Sequence, residues 1–165
     1  MHAIPTALCE QLDEFVAIRR DIHAHPELGL KEFRTSALVA DRLRTWGYTV
    51  TTGLAQTGLV AQLRRGSGSK RLGLRADMDA LPITEVANRA YASVHEGVMH
   101  ACGHDGHTAT LLAAAWYLAQ HGQFDGTLNL IFQPAEEPPC GAALMLADGL
   151  FDRFPVQSIF AMHNW

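Results

Sequence analysis

Short apolar runs alternate with helical periodicities along this chain, and that alternation constrains its fold more than any other feature. "TGLVAQL" at 57–63, "KRLGLRA" at 70–76, "GTLNLIFQ" at 126–133 and "VQSIFAMH" at 156–163 read as strands. "GHTATLLAAAWYLAQHG" at 106–122 reads as a strong helix with Gly122 after its end, and 140–148 as a short helix ended by Gly149. Two amphipathic helices come first. Residues 6–23 space Leu8, Leu12, Phe15, Ile18 and Ile22 by three and four, and Pro26 closes that stretch. Residues 31–46 do the same with Phe33, Ala37, Ala40 and Leu43, with Gly47 placed for a left-handed cap before apolar-rich "YTV". "RGSGS" reads as a hairpin turn between the first two strands, and 77–105 as a long loop. Such a chain folds as α/β: a mixed, largely parallel sheet with one early hairpin, flanked by helices.

Length and composition narrow the class. The 165 residues suffice for one domain, and 48% hydrophobic with 18% charged residues is a globular balance. Net charge is −4 and the basic residues are scattered, which argues against nucleic acid or an anionic membrane as partner. "LLAAAWYLA" at 111–119 is too short to span a bilayer. The first residues show no basic and apolar signal pattern, and three cysteines make no disulfide framework, so a reducing, cytoplasmic setting is expected.

The chemistry gathers where strands end. "HACGHDGH" at 100–107 holds three imidazoles and a thiol in eight positions. Asp77 and Asp79 follow one strand, Glu136 and Glu137 another, and His163 ends the last. Parallel sheets bind ligands at the carboxyl ends of their strands, so these groups can converge. Each alone has a plainer reading. An aspartate after a strand forms turns, paired glutamates are a solvated surface, and His163 is a hydrogen-bonded core histidine. Cys102 alone is a buried thiol. Cys102 and His104 together differ, because in an extended segment both side chains point the same way. Asp105 and His107 either cap the following helix or orient ligands. Cys9 and Cys140 read as structural, and His23, His25, His95 and His121 take no role from spacing.

Five stretches then match a known family in order: "RRDIHAHPELGLKE", "LRADMDALPI", "GVMHACGHDGHTATLLAAA", "LIFQPAEE" and "FAMHNW". The chain resembles the M20 metallopeptidases, in the amidohydrolase branch that includes hippurate hydrolases and N-acyl-amino-acid amidohydrolases. The resemblance implies a three-layer zinc-peptidase-like catalytic domain. It implies a centre of two divalent metal ions held by Cys102, His104, Glu137 and His163. Glu136 would be the general base, with Asp77 and Asp79 as supports behind the ligands. Thiolate, imidazole and carboxylate donors suit zinc, with manganese or nickel as alternatives. The implied reaction is hydrolysis of the amide of a small N-acyl amino acid by a metal-activated water. By the same resemblance, residues 1–165 are the N-terminal portion of the catalytic domain. The lid or dimerisation domain and the C-terminal part, with a further histidine ligand, lie outside it. The 165 residues alone are therefore expected to show no useful turnover and to leave apolar faces uncovered.

Three other functions compete. A catalytically inactive fragment retains partial metal binding. A structural zinc module would use Cys102 and His104, but no C-x2-C pair supports it. A cysteine hydrolase built on Cys102 leaves Glu136 and Glu137 without a role.

Overall fold

Five strands form one sheet in a computed structural model that describes residues 4–164. They are β1 (Thr49–Leu54), β2 (Gly58–Arg65), β3 (Arg71–Asp77), β4 (Gly126–Gln133) and β5 (Ser158–Ala161), in the order β1-β2-β4-β3-β5. β2 pairs antiparallel with β1 and with β4, whereas β3 pairs parallel with β4 and with β5. β2 alone therefore runs against the other four, and the sheet is mixed with a largely parallel sense.

The hairpin is not where "RGSGS" suggested. It joins β1 to β2 through Ala55 and Gln56, both with positive φ (47° and 70°). β4 inserts between β2 and β3, pairing with β2 from Leu59 to Arg65 and with β3 from Arg71 to Asp77. Leu128, Leu130, Ile131 and Phe132 of β4 are all buried, which suits a central strand covered on both faces. The Gly/Ser stretch is a crossing loop instead, held where Gly68 N–H donates to Asp125 Oδ1 at 2.6 Å.

Among the described residues six helices flank the sheet: α1 (Thr6–Glu10), α2 (Leu12–Ala24), α3 (Phe33–Thr45), α4 (His104–His121), α5 (Gly141–Ala147) and α6 (Leu150–Arg153). The single helix read at 6–23 is two, broken at Gln11 (φ −103°). Leu12, counted in its apolar stripe, is exposed. Gly47 takes the left-handed cap (φ 87°) as its position implied.

One core packs Phe15, Ile18 and Ile22 of α2, Val39 and Leu43 of α3 and Leu112 of α4 on Leu59, Ala61, Leu130 and Phe132. The opposite face packs Val60 and Ile131 on Met145, Leu150 and Phe154. Alternate residues of β2 and β4 supply the two cores, as the two-residue repeat of a strand requires. Each fully buried Leu, Ile or Phe contributes about 1.5–3 kcal/mol, and together they fix three layers.

β5 is different. The run read at 156–163 shortens to four residues, all exposed, so Ile159 and Phe160 stand in solvent at the sheet edge with Met162 just beyond. Among the described residues no helix is long and apolar enough to cross a membrane.

Candidate metal centre

β3 and β4 run parallel and in register, with Asp77 beside Gln133, so the segments that follow them leave the sheet at one edge. Asp79 comes from the first segment and Glu136 and Glu137 from the second. α4 points its N-terminus at the same place. Gly103 (φ 81°) turns the chain there, and α4 begins at His104, two residues earlier than its periodicity suggested. Cys102 and His104 therefore do not lie in one extended segment. The thiol comes from the preceding loop and the imidazole from the helix.

His104 is the hub. Its donor atoms lie within 4.8 Å of those of three sets: Cys102 with His163, Asp77 with His107, and Glu136 with Glu137. All the residues expected to serve as ligands and base are thus gathered round one buried imidazole. Cys102 Sγ lies 3.4 Å from His163 Nε2. His107 is a further member. It is three residues from His104 on α4, a spacing that puts both rings on one helix face.

Asp79 holds this arrangement. His104 Nδ1–H donates to its Oδ1 at 3.0 Å, Glu136 N–H donates to Oδ1 at 3.0 Å, and Glu137 N–H donates to Oδ2 at 3.1 Å. Burial alone would raise the Asp79 pKa, but these donors and the His104 charge outweigh it and hold the carboxyl below the usual range. Burial likewise presses the His104 pKa down, and the Asp79 bond with the charges of Asp77, Asp79 and Glu136 carries it above the ordinary histidine value. Asp77 accepts from His107 Nδ1–H at 2.7 Å and from Arg75 Nη1 at 2.6 Å. Asn164 contacts the other ring nitrogen of His107 through its backbone N, at 3.2 Å, and its Oδ1.

The donor set fits a divalent cation. With Nδ1–H spent on Asp79, His104 Nε2 is buried with no hydrogen-bond partner among the described residues, 3.8 Å from Asp77 Oδ2 and 3.9 Å from Glu136 Oε2. A ring nitrogen oriented by a carboxylate behind it is how histidine ligates metals. Burial raises the pKa of Cys102, and the negative charges of Glu137, Glu136 and Asp77 raise it further. A cation among these carboxylates reverses that effect and favours the thiolate.

Asp105 does not cap α4, which has no side-chain cap. It is buried on the far side of the helix start, 2.7 Å from Arg19 Nε and 2.9 Å from His23 Nδ1, and His23 Nε2 meets Glu85 Oε1 at 3.2 Å. His23, which spacing left without a role, thus braces α4 across 82 residues of sequence. His100 lies beside it, ring centroids 6.3 Å apart, with both ring nitrogens unpartnered among the described residues, and burial pulls its pKa down to about 4. Cys9 and Cys140, read as structural, are exposed.

Residues 73–165, more than half the chain, match the Peptidase family M20/M25/M40. The chain belongs to the M20 peptidase family. It is 52% identical over 164 residues to a hippurate hydrolase of Campylobacter jejuni, covering 99% of this chain and 42% of the relative. It is 40% identical to an N-acetyl-L-cysteine deacetylase of Bacillus subtilis, covering 97% of this chain and 38% of that protein. A Bacillus subtilis crystal structure, described as a dinuclear metal binding peptidase of the M20 family, superposes with a TM-score of 0.88 at 36% identity, over 98% of this chain and 44% of the other. The chain thus spans about two-fifths of the length of the M20 relatives it matches.

Proposed function

We propose that this M20 chain supplies the metal site and general base of an enzyme that hydrolyses the amide of N-acyl amino acids, hippurate-like substrates included. The observation that carries the reading is His104, whose Nε2 is buried with no hydrogen-bond partner among the described residues and whose ring three donor sets share. Cys102, His104, Glu137 and His163 would hold two divalent metal ions, zinc before manganese or nickel. Bound metal lowers the pKa of water from 15.7 to about 7 and polarises the scissile carbonyl. Glu136 is the base. Its side chain is 38% exposed, so it is open to substrate, while its backbone is tied to Asp79. It takes the proton of the attacking water and passes it to the leaving amine. Adjacent glutamates divide the work, one ligating and one free. The free thiols of Cys9, Cys102 and Cys140 fit a reducing compartment, the cytoplasm.

The 165 residues correspond in this reading to the N-terminal portion of the M20 catalytic domain. A lid or dimerisation domain and a further histidine would come from beyond it. The uncovered β5 edge favours a second outcome for the isolated chain, metal binding without useful turnover.

A chimera tests both. These 165 residues replace the matching segment of the Campylobacter relative, and N-benzoylglycine cleavage is followed by amine release. Chelator-sensitive turnover, restored by zinc or manganese and lost in Glu136→Gln, is the expected result. A folded, metal-loaded chimera that cleaves neither N-benzoylglycine nor other N-acyl amino acids would contradict the proposal.

A further inference from the structure

Behind the metal centre lies a buried carboxylate that the chemistry above does not use. Glu32 is 0% exposed. It accepts the Ala135 N–H on Oε1 at 2.8 Å and the Thr57 hydroxyl on Oε2 at 2.5 Å. Thr57 is itself buried, in the turn between β1 and β2. Glu32 therefore joins three separate parts of the chain: the start of α3, the β1–β2 turn and the segment leaving β4.

Ala135 is the informative end of this link. Its φ is 46°, a left-handed conformation that a residue with a Cβ adopts only when its surroundings impose it. Three contacts do so. Glu32 takes its N–H, Gly141 N–H donates to its carbonyl at 2.6 Å, and Gly29 leaves room for its side chain. A Cβ placed at Gly29 would stand 2.9 Å from the Ala135 Cβ. The next two residues are Glu136 and Glu137, whose N–H groups go to Asp79. Three successive backbone N–H groups thus end on two buried carboxylates. Asp79 also meets His104 among the metal donors, and Glu32 meets Thr57 in the β1–β2 turn.

We infer that Glu32 is a positioning residue for Glu136 and Glu137: by clamping Ala135 in the left-handed conformation, it sets the direction in which both glutamates leave β4. The inference rests on the reading of Glu136 as base and Glu137 as ligand. Its physical content, the clamping of this turn, is measurable without either.

The clamp needs an acceptor at Oε1 and a polar partner for Thr57, not a negative charge. Glutamine supplies both, because its amide oxygen accepts from Ala135 and its amide nitrogen can donate to the Thr57 hydroxyl oxygen. Alanine supplies neither. Glycine at 135 adopts positive φ without a clamp, so Ala135→Gly should partly relieve the loss of Glu32. An ordinary buried side chain would show no such repair, since Gly destabilises through the unfolded chain.

The test is residue-resolved amide hydrogen exchange on the 165-residue chain, with cobalt(II) titration beside it. Glu32→Ala should speed exchange at Ala135, Glu136 and Glu137 at least tenfold, with the β4 core amides of Leu130 and Ile131 changed less than twofold. Glu32→Gln should stay within about threefold of the parent at all these sites. Adding Ala135→Gly to Glu32→Ala should recover much of the protection at Glu136 and Glu137. Where the parent chain shows a thiolate–cobalt absorption band, Glu32→Ala should weaken cobalt binding at least tenfold and Glu32→Gln should restore it. A parent chain that binds no cobalt counts against the metal reading, and the exchange pattern still decides the role of Glu32. A uniform rise in exchange, or a failure to fold that Ala135→Gly does not repair, would make Glu32 an ordinary core residue and overturn the inference. Unchanged exchange at Glu136 and Glu137 would do the same.

Discussion

Asp79 and His163 both stand just past the carboxyl end of a strand, yet they are held in opposite ways. Asp79 follows β3, which is paired on both sides, and it is 2% exposed with three donors on its carboxylate. His163 follows β5, the exposed edge strand, and lies in solvent with Cys102 Sγ 3.4 Å away and the His107 ring at 4.7 Å. One half of the site is built into the core. The other is carried at the rim, where packing contributes little. The difference implies that the buried half couples to the stability of the whole chain more strongly than the rim half does.

The strongest way to break that comparison is Asp79→Ala. It removes the partner of the raised-pKa His104 and strips the acceptor from two backbone N–H groups. Losing one member of a buried charged pair costs about 3–5 kcal/mol. Urea unfolding should show a loss of that size; a loss under about 1 kcal/mol would mean the buried half is no more coupled to the fold than the rim.

Acid should act on the buried half next. His100 titrates near 4 in the folded chain, below the 6.5 of an exposed histidine. Between those values the unfolded chain holds a proton that the folded chain refuses. The stability from a neutral His100 is therefore complete above pH 6.5 and is lost as pH falls toward 4, by roughly 3 kcal/mol. Chemical denaturation of the metal-free chain at pH 7, 5.5 and 4.5 should show the decline, and His100→Met should flatten it. An equally steep decline in His100→Met would remove this histidine from the account.

At the rim, His163→Ala should weaken zinc binding at least tenfold, about 1.4 kcal/mol, because even residues behind a ligand cost about 10–100-fold when lost. Its unfolding free energy should stay within about 0.5 kcal/mol of the parent. Loss of stability without loss of zinc would reverse the roles assigned to the two halves. The smallest effect belongs to Phe160→Glu on β5. Phe160 is 62% exposed, so stability should again change by less than about 0.5 kcal/mol. Sedimentation should show less association, since the substitution places a charge on an exposed apolar edge.

Much of this was legible in the sequence, for a physical reason. Strand and helix periods are local, and residues at strand ends inherit a common edge once the strands run parallel. That is why the acidic, thiol and imidazole groups near the strand ends could be expected to converge, while the choice of Cys102, His104, Glu136, Glu137 and His163 among them came from the M20 resemblance. Pairing order is not local. Nothing in "RGSGS" tells a hairpin from a crossing loop, and only the burial of β4 on both faces explains its place between β2 and β3. Long-range polar links were hidden for the same reason. His23 meets Asp105 across 82 residues, and Glu32 meets Ala135 across 103. His107 did carry a signal in its three-residue spacing from His104, but the helix start had to be placed at Gly103 before that spacing counted.

Zinc content of Glu136→Gln and Glu137→Gln, measured by equilibrium dialysis beside the parent chain, tests the central claim most directly. The two residues are neighbours, both donate their backbone N–H to the Asp79 carboxylate, and each variant removes one carboxylate, so a difference in zinc content reports on their roles. Glu136→Gln should keep zinc at the parent's level, because the proposal makes Glu136 the base and not a ligand. Glu137→Gln should lose affinity at least tenfold, the lower bound for disturbing a metal site. Equal losses in the two variants, or a loss confined to Glu136→Gln, would contradict the assignment of base and ligand on which the proposed hydrolysis stands.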